Sequence, residues 1–135
     1  MTVADEAATA LLRQTVPFAE TLGIEMLRAD KAEVSGRVAW TESLCTSGGA
    51  LNGGVIMGLA DNVGALCAFL NLPEGATGTT TIESKTNFLR AVRAGHVTAV
   101  ARPLHVGRRI IVVESDVVDD EKRLVARVTQ SQAVL

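Results

Sequence analysis

The stretch LNGGVIMGLADNVGALCAFLNL, Leu51 to Leu72, decides the fold. From Gly53 to Leu72 it is the most apolar run of the chain and long enough to cross a bilayer, yet it carries Asp61, Asn62, Asn71 and four glycines. A charged group at mid-bilayer is costly, so the run is expected to be a buried helix and not a membrane span. It is hydrophobic on nearly every face, whereas a surface helix is apolar along one stripe. Other parts of the chain are therefore expected to wrap it.

Working outward, the breaker LPEGATG (Leu72 to Gly78) leads into four runs of strand composition: Thr79 to Arg90, His96 to Val106, Arg109 to Val118 and Arg123 to Val134. Their connections, RAG, VGR and DDEK, are short enough for antiparallel hairpins. In the third run Ile111, Val113, Ser115 and Val117 alternate with Ile110, Val112, Glu114 and Asp116, so one face is apolar and the other mixed. On the N-terminal side TESLCTSGGALNGG (Thr41 to Gly54) has loop chemistry. Before it, Ile24 to Ala29 and Glu33 to Trp40 alternate with period two and form a hairpin. DEAATALLRQ (Asp5 to Gln14) reads as a short helix, Pro17 halts it, and FAETLG is a turn or a single helical turn. The order gives an α+β protein, a single antiparallel sheet curled around a central helix. Residues 1–135 form one domain with an N-terminal helical segment at 1–16, because a folded domain takes ~100 to 200 residues.

Composition removes several functions. Lys plus Arg number 13 against 15 Asp plus Glu, a formal charge of -2, with no basic block, and aromatics are 3%. Neither an electrostatic nucleic-acid surface nor a set of base-stacking platforms is expected. Cys45 and Cys67 stand outside any CxxC spacing, so no disulfide framework or zinc cluster is expected. A reduced, cytoplasmic setting follows, and the acidic start MTVADEAATALLRQ lacks the basic n-region of a secretory signal. A sheet of this kind leaves edges that need cover, which makes a homo-oligomer the expectation.

Few residues stand out for chemistry. Asp61 lies eight positions after Gly53, ~12 Å along a helix at ~1.5 Å per residue. A carboxylate there is either a general base or nucleophile, or a structural residue bonded to a loop or a partner subunit. Asn52 is a favoured N-cap residue. Gly53 and Gly54 let a substrate approach backbone N–H groups at the positive end of the helix dipole, where a developing oxyanion is stabilised; the alternative is a turn and cap with no ligand. His96 and His105 lie away from metal-ligand spacing. Cys67 reads as a small core residue, and Cys45 has no local His partner. Arg90, Arg93, Arg102, Arg108 and Arg109 fall in or beside strand ends; each alone is a solvated edge residue, and together they suit a phosphate-bearing ligand. Neither a P-loop nor a dinucleotide fingerprint is present. Gly58, Gly64, Ala65 and Ala68 reduce bulk on the helix, which suits an aryl or medium-chain acyl group.

With these residues in view, LNGGVIMGLADNVGALCA (Leu51 to Ala68) followed by TTIESKTNFLRAVRAGHVTAVARPLHVGRRIIVVESDVV (Thr80 to Val118) and the run to Leu135 resembles the hotdog-fold acyl-CoA thioesterases of the phenylacetate-pathway, PaaI-like type. The resemblance covers Phe18 to the C-terminus and rests on the GG-x5-AD helix start, the NFLR strand and the VGRR hairpin. It implies a hotdog fold, a homodimer or dimer of dimers, interfacial active sites and coenzyme A thioesters as substrates, with no cofactor or metal beyond the coenzyme A of the substrate. It puts the family acid on Asp61, the backbone oxyanion donor on Gly54 and a hydroxyl contributed by the next strand on Thr81. Nucleotide and phosphate contacts fall on Phe88, Leu89, Arg90, Gly107 and Arg108. The chain departs from the family at Asn52, where HGG is common, and at Thr46, where an asparagine is usual. The amide of Asn52 still donates a hydrogen bond but, unlike an imidazole, neither takes up nor releases a proton. The alternatives to an acyl-CoA thioesterase are a non-catalytic acyl-CoA-binding module and, last, a hydratase, which needs a His that this chain lacks before residue 96.

Overall fold

The structure, a computed structural model, describes residues 2–135. Helix α1 spans Glu6–Thr15, capped by Asp5, whose carboxylate accepts from the Ala8 N–H at 2.9 Å. Glu6 in its first turn and Arg13 in its last complement the helix dipole. Pro17 opens α2 (Pro17–Leu22), where the missing N–H costs nothing, and Gly23 ends it at φ 71°, the left-handed conformation that glycine adopts freely. Strands β1 (Glu25–Ala29) and β2 (Val34–Ala39) form the expected hairpin.

Helix α3 runs Gly53–Leu70. Its buried residues, Val55, Ile56, Leu59, Ala60, Val63, Gly64, Cys67 and Ala68, recur in pairs every four residues and make one stripe. Fully burying a side chain such as Leu59 or Val63 stabilises the fold by about 1.5–3 kcal/mol. The far side is open: Met57 is 37% exposed and Phe69 54%. The expected wrapping is thus one-sided, because one curled sheet covers one face of a helix and leaves the other to be covered by something else.

The sheet continues with β3 (Thr79–Phe88), β4 (His96–Val106), β5 (Ile110–Val118) and β6 (Leu124–Val134). All pairings are antiparallel, in the order β1-β2-β4-β5-β6-β3. Ile111, Val113, Ser115 and Val117 are the buried face of β5, as the alternation predicts. One expectation fails. The RAG connection is not a hairpin, since β3 pairs with β6 and not with β4. The segment after β3 is pinned across the sheet end instead: the Leu89 and Arg90 N–H groups bond to Val125 O, and buried Val92 accepts through its carbonyl from Leu51 N–H at 2.9 Å. Burying Val92 beneath the start of α3 draws this segment into a crossover, and β3 is left at the sheet edge.

Candidate active site

Two clusters emerge, one at each end of the α3–β3 contact. At the start of α3, Asn52 is the N-cap and its Oδ1 accepts from the Gly54 N–H at 2.7 Å. The Phe88 ring lies against Gly53, where an added Cβ would come within 3.1 Å of it. Leu89 and Arg90 follow, tethered to β6, and with Gly53 and Phe88 they line a groove of about 360 Å³ together with Ala50, Leu51 and Ile56, next to Asn52 and Gly54 in the chain. Asn52, Gly53, Gly54, Phe88, Leu89 and Arg90 are thus brought together. The oxyanion expectation needs correction in one respect. The Gly54 N–H is taken up by the cap, and Asn52 turns its oxygen inward as acceptor, so the N–H meets a ligand only when Asn52 rotates away.

The second cluster surrounds Asp61. Its Oδ1 accepts from Thr81 Oγ1 at 2.9 Å and from Gln130 Nε2 at 3.0 Å, while Gln132 Nε2 donates to the Thr81 hydroxyl at 2.7 Å. Asp61 is half-buried, whereas Gln130 and Gln132 are fully buried. Both donors converge on one carboxylate oxygen and Oδ2 takes neither. Gly107 and Arg108 turn the β4–β5 hairpin beside His105 and Arg109, at the end of the sheet where β3 begins: Ile110 and Thr80 both pair with Ala133. Phe88 lies at the other end, opposite Ala126. Phe88 lies seven positions along β3 from Thr81, about 23 Å at ~3.3 Å per residue. One chain therefore does not assemble the Arg108 contacts with those of Phe88, Leu89 and Arg90.

Gln130 and Gln132 escaped the reading of the sequence. Their signal is an amide at inward positions of a strand whose other inward residues, Ala126 and Val128, are apolar. The small helix residues also prove less open than expected. Phe18 and Leu22 of α2 reach within 3.0 Å of where a Gly58 Cβ would stand, and the Gln130 amide occupies the space over Gly64. Cys67 is core: burial first, and then the charge of Asp30, push its thiol up to about 11. Cys45 Sγ donates to Thr41 O at 3.3 Å, and His96 faces Asp120 at 3.7 Å on the turn after β5.

A six-stranded antiparallel sheet on a long helix with a carboxylate midway defines the class, the hotdog proteins. The thioesterase superfamily model matches residues 48–126, more than half of the chain. A 1,4-dihydroxy-2-naphthoyl-CoA hydrolase of Listeria monocytogenes is 31% identical over 107 residues, covering 78% of this chain and 85% of that protein. One further relative, from Haemophilus influenzae, is 42% identical over 85 residues and is matched over 61% of its own length. Among solved structures, a thioesterase from Haemophilus influenzae superposes with TM-score 0.88 at 29% identity, covering 100% of this chain and 92% of that one. The Escherichia coli PaaI protein, at 20% identity and TM-score 0.84 over 93% of this chain and 89% of that one, shares the fold. The chain belongs to the thioesterase superfamily, and as an enzyme its class is thioester hydrolase.

The cap makes a measurable prediction. Asn52→Ala removes the acceptor of the Gly54 N–H, so stability should fall by about 0.5–2 kcal/mol. Turnover per folded molecule should hold or rise, because the N–H is freed. A turnover loss at unchanged melting temperature would assign the Asn52 amide to the substrate carbonyl instead.

Proposed function

We propose that the chain is an acyl-CoA thioesterase acting on aryl or medium-chain acyl groups, with Asp61 as its reactive carboxylate. The observation that carries this reading is the Asp61 carboxylate itself, set in an apolar helix and held through Oδ1 by Thr81 and Gln130. Oδ2 is left either to take a proton from water or to attack the thioester carbonyl. Either route consumes one water and releases the acid and free coenzyme A. The negative oxygen formed on the way is met by backbone N–H groups at the start of α3, with Gly54 joining them once Asn52 Oδ1 rotates off its N–H. The name of the Listeria relative supports a coenzyme A thioester as substrate.

The layout also supports a homo-oligomer, a dimer or dimer of dimers. Gly54 and Asp61 are seven residues apart on one helix, about 10 Å along its axis, and Arg108 lies at the opposite sheet end from Phe88. A second copy laid against the β3 edge and the open side of α3 brings the helix start of one chain toward Asp61 of the other. It also completes the edge strand, where Ile82 is 59% exposed and Phe88 51%. A binding-only module is the second reading, and the capped Gly54 N–H is the observation that favours it. Purified protein offered a panel of aryl- and medium-chain acyl-CoAs, with thiol release as the readout, separates the two. Sustained release supports the enzyme, and saturable binding without release supports the module.

Arg108 is assigned to the phosphates of coenzyme A and not to the acyl group. A charge-assisted hydrogen bond is worth about 1.5–3 kcal/mol, so Arg108→Ala should raise KM for a full acyl-CoA about tenfold or more. The matching acyl-pantetheine should be unaffected. Equal losses on both substrates would contradict the assignment.

A further inference from the structure

Burying an amide without partners costs about 1–3 kcal/mol, and a strand facing an apolar helix ordinarily offers aliphatic side chains. β6 instead puts Gln130 and Gln132 there, both 0% exposed, in register with Ser84 and Thr81 of β3 and with Val113 and Ile111 of β5. Neither is satisfied: each uses its Nε2, and each leaves Oε1 buried without a hydrogen bond. They are poor choices for stability alone. What they accomplish is confined to Asp61 and Thr81.

Gln130 donates to Asp61 Oδ1 at 3.0 Å while its amide sits against α3 at Gly64. A Cβ on residue 64 would fall 1.7 Å from Gln130 Oε1 and 2.6 Å from its Cδ, so the glycine is what admits the amide. Gln132 donates into the Thr81 oxygen at 2.7 Å. A hydroxyl has one proton to give, and with Gln132 filling a lone pair, that proton is directed to Asp61 Oδ1 at 2.9 Å. Both donors thereby fix one oxygen of the carboxylate and leave the other for chemistry.

We propose that Gln130, seated on Gly64, is a positioning residue for Asp61, and that Gln132 serves the same end through Thr81. The inference rests on the reading of Asp61 as the reactive carboxylate.

The test is a double-mutant cycle with benzoyl-CoA, phenylacetyl-CoA and hexanoyl-CoA as probes. Gln130→Met keeps the volume and removes the donor. Its kcat should fall about 10- to 100-fold with KM within about threefold of wild type, the pattern of a misplaced reactive group and not of lost binding. In an Asp61→Asn background the same change should cost nothing further, since a residue that acts only through Asp61 has nothing left to position. Gly64→Ala, which displaces the amide from the helix side, should reproduce the kcat loss, and it decides the matter if Gln130→Met does not fold. Wild-type kcat in Gln130→Met or Gly64→Ala, or an additive loss in the Asp61→Asn background, would overturn the positioning role while leaving Asp61 in place. Full turnover in Asp61→Asn alone, or a wild-type chain inert toward all three probes, would overturn the reading of Asp61 and the inference with it.

Discussion

Asp61→Asn should lower kcat by at least ~100-fold, the scale for loss of a general base, while the protein folds and assembles as before. The hydrogen bonds explain why folding survives. Thr81 and Gln130 both donate to Oδ1, and an asparagine retains one oxygen to accept both. Only the second oxygen becomes an amide nitrogen, which neither removes a proton from water nor attacks a carbonyl. The charge lost was half-buried on an apolar helix, so the melting temperature should hold or rise, as it does where a functional group is kept at a cost to stability. Wild-type kcat in the folded variant would sink the assignment, and a collapse of folding would make Asp61 a structural residue.

Thr81→Val should have the next largest effect. Valine matches threonine in shape but removes the hydroxyl, so Asp61 keeps Gln130 as its sole donor among these side chains and Gln132 Nε2 loses its acceptor. Because Gln132 Oε1 already lacks a partner, the stranded amide should cost about 1–3 kcal/mol of stability. A carboxylate released to rotate should lose about 10- to 100-fold in kcat. Thr81→Ser, which retains the hydroxyl, should recover most of both. Thermal melts and steady-state rates on the pair check this: a valine variant that loses stability but keeps kcat would confine Thr81 to the fold.

Where the chain could be read in advance, the reading relied on periodicity and local turn chemistry. The apolar run after Asn52, the alternation in Ile110 to Val117 and the Pro17 and Gly23 breaks are local signals, and they place α3, β5 and α2 correctly. The edge position of β3 is not local. RAG is short enough for a hairpin, and nothing within it says that Val92 will be buried under Leu51; only the apolar residue between Ala91 and Arg93 hints at a pinned crossover. The site divides in the same way. Asp61 announces itself as a lone carboxylate on an apolar helix, and Asn52 as a cap. Their partners lie far along the chain: Gln130 and Gln132 meet Asp61 and Thr81 only because β6 and β3 pair across the sheet. The same pairing explains why Arg108 and Phe88, which the resemblance gathers around one ligand, stand at opposite ends of one chain.

The most direct measurement sets binding beside turnover. A non-hydrolysable thioether analogue of the best acyl-CoA, titrated into wild-type protein and Asp61→Asn, gives Kd, and thiol release from the matching thioester gives kcat on the same samples. Near-equal Kd is expected for both proteins, with sustained release by the wild type and almost none by the variant. Tight binding of the analogue by a wild-type chain that releases no thiol, or equal release by the two proteins, would contradict that expectation.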